Sequence, residues 1–96
     1  MKVVLSSRAE ADLLAIHGYF SERNPAAADR IITRLFHRFE ELVEFPFLGR
    51  DRSELRASLR ALVVDRYVAF YLVESAQIVI VRVLDGRMNI DEEFAE

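Results

Sequence analysis

Apolar residues recur through the first half of the chain at helical spacing. Ala9, Leu13, Ile16 and Phe20 follow one another by four, three and four positions. That spacing places them on one face of an amphipathic helix. A second series, Ala28, Ile31, Leu35, Phe39 and Leu42, predicts a longer helix with its own apolar face. Asn24-Pro25 separates the two. Pro25 disfavours helix at Asn24, so the first helix stops near Glu22. The same pair starts the second helix, because Asn caps and Pro fits the first turn. Upstream, Val3-Val4-Leu5 centres a short strand over Lys2–Ser6, and Ser7-Arg8-Ala9-Glu10 fits a capping box. Pro46 closes the second helix.

The pattern then changes. Pro46–Arg50 reads as a turn and Arg50–Ser58 as a polar link with a helical turn through Glu54–Arg56. Leu59–Val64, Tyr67–Val73 and Gln77–Leu84 are rich in β-branched and aromatic residues and predict three strands. Asp65-Arg66 and Glu74-Ser75-Ala76 are hairpin-length connections, so these strands form an antiparallel meander. Val79, Ile80 and Val81 are consecutive, which points to central strands covered on both faces. Ile90–Glu96 is a short acidic end. The order is β-α-α-β-β-β. It predicts one α+β domain over residues 1–96, a two-helix hairpin packed on a small, mainly antiparallel twisted sheet.

Composition narrows the chemistry. Hydrophobic residues form 52% of the chain and charged residues 30%, which excludes a disordered segment. There is no cysteine, so disulfides and cysteine-ligated zinc are excluded. The two histidines, His17 and His37, have no metalloprotease spacing. No metal site is expected. Glycine occurs only at 18, 49 and 86, so no phosphate-cradling loop exists and no nucleotide cofactor is expected. No G-x-S-x-G elbow surrounds any serine. The apolar runs are too short to span a bilayer, and no targeting segment is visible; the expected location is the cytoplasm.

The net charge of −3 hides a gradient. Residues 50–87 carry seven arginines against five acids, and residues 88–96 carry four acids and no base. Lys2 is the only lysine. The planar guanidinium fork suits carboxylate or phosphate partners, and it equally suits a solvated surface. Arg60 and Arg82 lie within strands, and Arg82 stands between Val81 and Val83. Such an arginine either contacts an external anion on the sheet face or closes an internal ion pair, with Asp65 and Asp85 as candidate partners. Tyr67 and Tyr71 share a strand face and are expected to pack with hydroxyls at the rim.

Several segments together resemble the ParE branch of the RelE/ParE toxin superfamily. Ala9–Ile16 is similar to its A-x-x-D-L-x-x-I start, and Asn24-Pro25-Ala26-Ala27-Ala28 to its interhelical boundary. Phe45-Pro46-Phe47-Leu48-Gly49-Arg50 is similar to its hydrophobic-P-x-x-G-R turn. Leu59-Arg60, Tyr67–Tyr71 and Ile80–Arg87 resemble its three C-terminal strands, with Asp85 where the family commonly carries His.

The resemblance implies a type II toxin bound by a ParD-like antitoxin in a hetero-oligomer. Such toxins inhibit DNA gyrase by binding, without a catalytic residue set. Operator DNA is bound through the antitoxin and not by the toxin chain. On this basis Leu13, Tyr19, Phe20, Leu35 and Phe39 are the expected apolar contacts of the antitoxin, and Arg50, Arg52, Arg60 and Arg82 the polar ones. Arg87, Met88 and Asn89 are the expected target contacts. RelE-like relatives instead cleave messenger RNA with a basic cluster and a C-terminal Tyr or His. Arg52, Arg60 and Arg82 could supply part of such a cluster, but no Tyr or His follows Tyr71. A proton carrier is therefore missing where that chemistry needs one. Ribosome-dependent RNA cleavage and a non-toxic, partner-binding remnant are the alternatives.

Overall fold

A computed structural model describes residues 1–95. Its elements are β1 (Lys2–Leu5), α1 (Ser7–Ser21), α2 (Pro25–Glu44), β2 (Arg50–Asp51), β3 (Arg60–Val64), β4 (Tyr67–Val73), β5 (Gln77–Asp85) and α3 (Ile90–Phe94). The strands form one sheet in the order β1-β5-β4-β3-β2. The β3-β4-β5 meander is antiparallel, and β1 runs parallel to β5 at the sheet's far edge.

The helix boundaries follow the spacing and the caps. Asn24 accepts from the Ala27 amide at 3.2 Å, with Pro25 in the first turn of α2. The first cap is Ser6, one residue before the expected Ser7. The Ser6 amide still donates to the Ile80 carbonyl, so the chain leaves the sheet only after this residue. Its hydroxyl accepts from Ala9 N–H at 3.1 Å and donates to the Val81 carbonyl at 2.9 Å. Position N3 is thus Ala9, and no capping box forms; Glu10 instead stabilises the first turn through the helix dipole.

Three further details differ from expectation. Arg50–Asp51 pairs with β3 as a two-residue edge strand. The segment through Glu54–Arg56 is hydrogen-bonded turn and not helix, with Leu55 N–H on the Arg52 carbonyl. The acidic end contains α3, capped by Asn89, whose three first-turn acids suit the positive end of the dipole. Glu96 lies outside the described residues.

Two apolar layers hold the sheet. Between helices and sheet lie Leu13, Leu35, Phe39, Leu42, Tyr67, Tyr71, Ile78, Ile80 and Val83. Each large side chain buried there contributes about 1.5–3 kcal/mol by transfer from water. The opposite face buries Leu59, Ala61, Phe70, Val81 and Leu84 beneath Leu55, Ile90 and Phe94. A bulge explains the consecutive apolar residues of β5. Tyr71 pairs with Ile80 and Phe70 with Arg82, leaving Val81 as the extra residue. The bulge switches parity, so Ile78, Ile80 and Val83 all face the helices. Beyond the end of β1, the Ser6 hydroxyl takes the Val81 carbonyl and Asp12 accepts from the Val83 amide. The stretch of the β5 edge that β1 leaves unpaired thus takes its partners from side chains.

Candidate protein-binding surfaces

The turn between α2 and the sheet is a hydrogen-bonded knot. The Tyr71 hydroxyl donates to the Pro46 carbonyl at 2.8 Å and accepts from the Gly49 amide at 2.8 Å. Tyr71 is fully buried, so its hydroxyl is an interior staple and not a rim group. Arg60 donates from Nε and Nη2 to the Gly49 carbonyl at 3.0 and 2.6 Å, and from Nη2 to the Phe47 carbonyl at 3.2 Å. Its guanidinium also lies 5.2 Å from the Phe47 ring centre. The P-x-x-G-R motif therefore fixes the backbone. It leaves Phe45, Phe47 and Leu48 exposed on a rigid turn.

Arg82 is the one buried charged residue among those described. It binds Asp12 bidentately, at 2.8 and 3.0 Å, and reaches Glu93 of α3 at 3.3 Å. The bonds to Asp12 hold its pKa above the ordinary arginine value. The candidate partners read from sequence are occupied elsewhere: Asp65 pairs with Arg34, and Asp85 with Arg66 and Arg87. Arg52 pairs with Glu54 at 2.7 Å, and Arg50 is exposed on the edge strand. The structure thus does not gather Arg52, Arg60 and Arg82 into one cationic cluster; each faces its own internal partner.

Of the expected apolar contacts, Leu13, Leu35 and Phe39 are buried in the core, and Leu13 also lines the groove between the two helices. Their sequence neighbours are exposed instead, Leu14 by 74% and Phe36 by 42%. With Leu5, Ile32 and His17 these residues line an apolar groove of about 340 Å³ across the helical hairpin. His17 closes one wall through a 3.0 Å contact with Asp29 of α2. Sequence spacing located the buried faces correctly but gave no sign that the hairpin leaves a groove beside them. The signal available was the second apolar residue in Leu13-Leu14 and Leu35-Phe36.

The third region lies at the end of β5. The Asp85 carboxylate takes bonds from the Arg87 side chain and amide, and from Arg66 Nε at 3.1 Å. Arg87, seconded by Arg66, holds the Asp85 carboxyl well below the usual carboxylate range. Asp85, in the position where the family commonly carries His, thus organises two arginines. Met88 is exposed, and Asn89 is used as the α3 cap. Tyr19 and Phe20 of α1 border this region and not the hairpin groove. No described helix is long and apolar enough to cross a membrane.

Comparison with known proteins agrees with this architecture. Residues 3–90 match the family described as ParE toxin of type II toxin-antitoxin system, parDE. The chain is 36% identical over 96 residues to Toxin ParE3 of Caulobacter vibrioides, covering 99% of this chain and 96% of that relative. Toxin RelE2 of the same organism is 41% identical over 83 residues, covering 85% of this chain and 91% of its own. A chain from the chromosomal ParDE TA system of P. aeruginosa superposes with a TM-score of 0.76 at 22% identity, over 88% of this chain and 95% of that one. That likeness shows the α+β fold expected from the sequence. The chain belongs to the ParE toxin family of type II toxin–antitoxin systems.

Proposed function

We propose that this toxin acts by binding DNA gyrase and not by cutting RNA, and that a ParD-like antitoxin silences it by seating an apolar helix in the hairpin groove. The observation that supports binding over catalysis is the internal engagement of Arg52, Arg60 and Arg82. A guanidinium already spent on carbonyls and carboxylates is not free to hold a scissile phosphate. No Tyr or His follows Tyr71 to move a proton. The similarity to a relative named Toxin RelE2 makes RNA cleavage the competing reading.

The groove of Leu14, Ile32 and Phe36 fits the apolar stripe of a partner helix. Arg50, exposed on the edge strand, remains the polar antitoxin contact, and Arg87, Met88 and Asn89 the target-contacting end. The proposed working location is the cytoplasm, where gyrase and its DNA lie. Leu14→Ala and Phe36→Ala are each expected to weaken the antitoxin about 30-fold by titration calorimetry. Leu14 is largely exposed, so its variant should keep the melting temperature, whereas Phe36 also meets the buried Phe39 ring at 5.6 Å and its variant should melt slightly lower. Native affinity in both variants would place the antitoxin helix elsewhere. For the target, the purified toxin is expected to inhibit gyrase supercoiling and to leave ribosome-bound message intact.

A further inference from the structure

The groove across the helical hairpin is apolar within and acidic at one end. Glu10, Leu14 and His17 follow one another by four and three positions along α1. Ile32, Phe36, Glu40 and Glu44 follow one another by four along α2. Each series therefore shares one face of its helix. The 3.0 Å contact of His17 with Asp29 sets the register of the hairpin. Two turns back along α1, Glu10 lines the groove together with Phe36. Glu40 follows Phe36 by one turn and Glu44 by two, with the exposed Val43 between them. The three glutamates are exposed, and none has a cation within ion-pair distance among the described residues. Glu40 and Glu44 also stand at the negative end of the α2 dipole, in a helix with no base in its last turn.

The neighbouring bases are directed elsewhere. Arg34 donates to Asp65, and Arg38 to Glu41 and to the Val63 carbonyl of β3, so both serve the opposite flank of α2. Arg30 lines that flank with them. Arg8 borders the cavity on the other side of the sheet, beside Leu72 and Val79. Val3 and Leu5 pack toward the helices, so strand alternation turns Lys2 to the far face. His17 is already matched by Asp29. The acidic end of the groove therefore keeps a surplus of three carboxylates, and an occupant must bring cations as well as apolar side chains. Lys and Arg combine the two, because their stems lie along apolar surface while their heads reach outward to an acid. The same surplus repels a nucleic-acid backbone.

We propose that the helix seated in this groove carries Lys or Arg on the flanks of its apolar stripe, over Glu10, Glu40 and Glu44. This rests on the reading that the groove seats the antitoxin helix, and it states what that helix must carry. The test is an NMR titration of the intact chain with the two-heptad probe peptide acetyl-(Leu-Lys-Ala-Leu-Leu-Ala-Lys)2-amide. The same peptide with Gln for Lys is the neutral control, since Lys and Gln have similar helix propensity. A scrambled Lys peptide without the stripe controls for charge alone. Saturable shifts are expected at Leu14, Ile32 and Phe36, with the Lys peptide about tenfold tighter than the Gln peptide at low salt. In about 0.5 M salt that preference should largely vanish. The triple variant Glu10→Gln, Glu40→Gln, Glu44→Gln is expected to lose the preference and to keep the affinity for the Gln peptide.

All three substitutions lie on the surface, and a thermal melt of the variant checks that it folds. Equal affinity of the Lys and Gln peptides at Leu14 and Phe36 would overturn the proposal and leave the groove as a seat for an apolar helix. A preference that survives in the triple variant, or equal shifts from the scrambled peptide, would assign the effect to net charge and overturn it as well. Absence of shifts at the groove with every peptide would also overturn it. Self-association of the free chain through Leu14 and Phe36 would give the groove to a second copy, with the same consequence. The antitoxin affinities of Leu14→Ala and Phe36→Ala decide separately whether the antitoxin uses the groove at all.

Discussion

Gly49→Ala is expected to cost the domain about 3–5 kcal/mol and to lower its melting temperature by roughly 15–30 °C. A Cβ at Gly49 would stand 2.6 Å from the Ala61 carbonyl, 2.7 Å from the Tyr71 ring and 2.8 Å from the Tyr71 hydroxyl. None of these can yield cheaply. The carbonyl belongs to β3, paired with β4, and Tyr71 is buried in the main core. Displacing the Gly49 strand would also part its amide from the Tyr71 hydroxyl and its carbonyl from Arg60. Gly18→Ala is the control. Nothing lies within 4 Å of its added Cβ, and the position is helical. It should be neutral or stabilise by up to about 1 kcal/mol. Thermal melts of the two variants test the point. Equal, small shifts would mean that the turn relaxes freely and that the P-x-x-G-R motif serves something other than the backbone.

Arg82→Ala should be the second large effect, about 3–5 kcal/mol by urea unfolding. The loss comes less from a missing attraction than from the Asp12 carboxylate left half-buried with only the Val83 amide. Asp12→Ala should cost a similar amount, because it strips the bidentate partner from a buried guanidinium. The double variant Asp12→Leu, Arg82→Met should recover much of the loss, since neither charge then remains stranded. Strict additivity of the single effects would contradict a coupled pair. Arg60→Ala should act through the same route, by freeing the carbonyls of Phe47 and Gly49. Reduced antitoxin affinity in any of these variants is informative only beside its unfolding curve.

Much of the fold was legible because its signals are local. Steps of three and four fixed the helix faces, Asn24-Pro25 fixed the break, and β-branched runs fixed the strands. What escaped depends on residues far apart in the chain. The β5 bulge is stabilised by Ser6 and Asp12, which reach it across 70 positions or more. Asp12 as the partner of Arg82 has the same separation, so nearer acids looked equally good. The Ser6 cap was chosen by a strand bond to Ile80 that no local pattern contains. The sites followed the same rule. Helical spacing told which apolar residues face inward, and the expected contact residues Leu13, Leu35 and Phe39 are among those buried. The surface partners Leu14 and Phe36 become a groove only when α1 and α2 lie side by side. Tyr19 and Arg66 meet at the β5 end only because α1 crosses the β3–β4 turn.

The function proposed above is that of a toxin working through contact, with one face for the antitoxin and the β5 end for its target. The most direct measurement is induction of this chain alone in a bacterium, with growth, DNA synthesis and messenger RNA integrity followed together. Arrest with halted DNA synthesis and intact message is the predicted result. Arrest with cleaved message and continuing DNA synthesis would contradict it, because the internally engaged arginines would then have to serve a scissile phosphate.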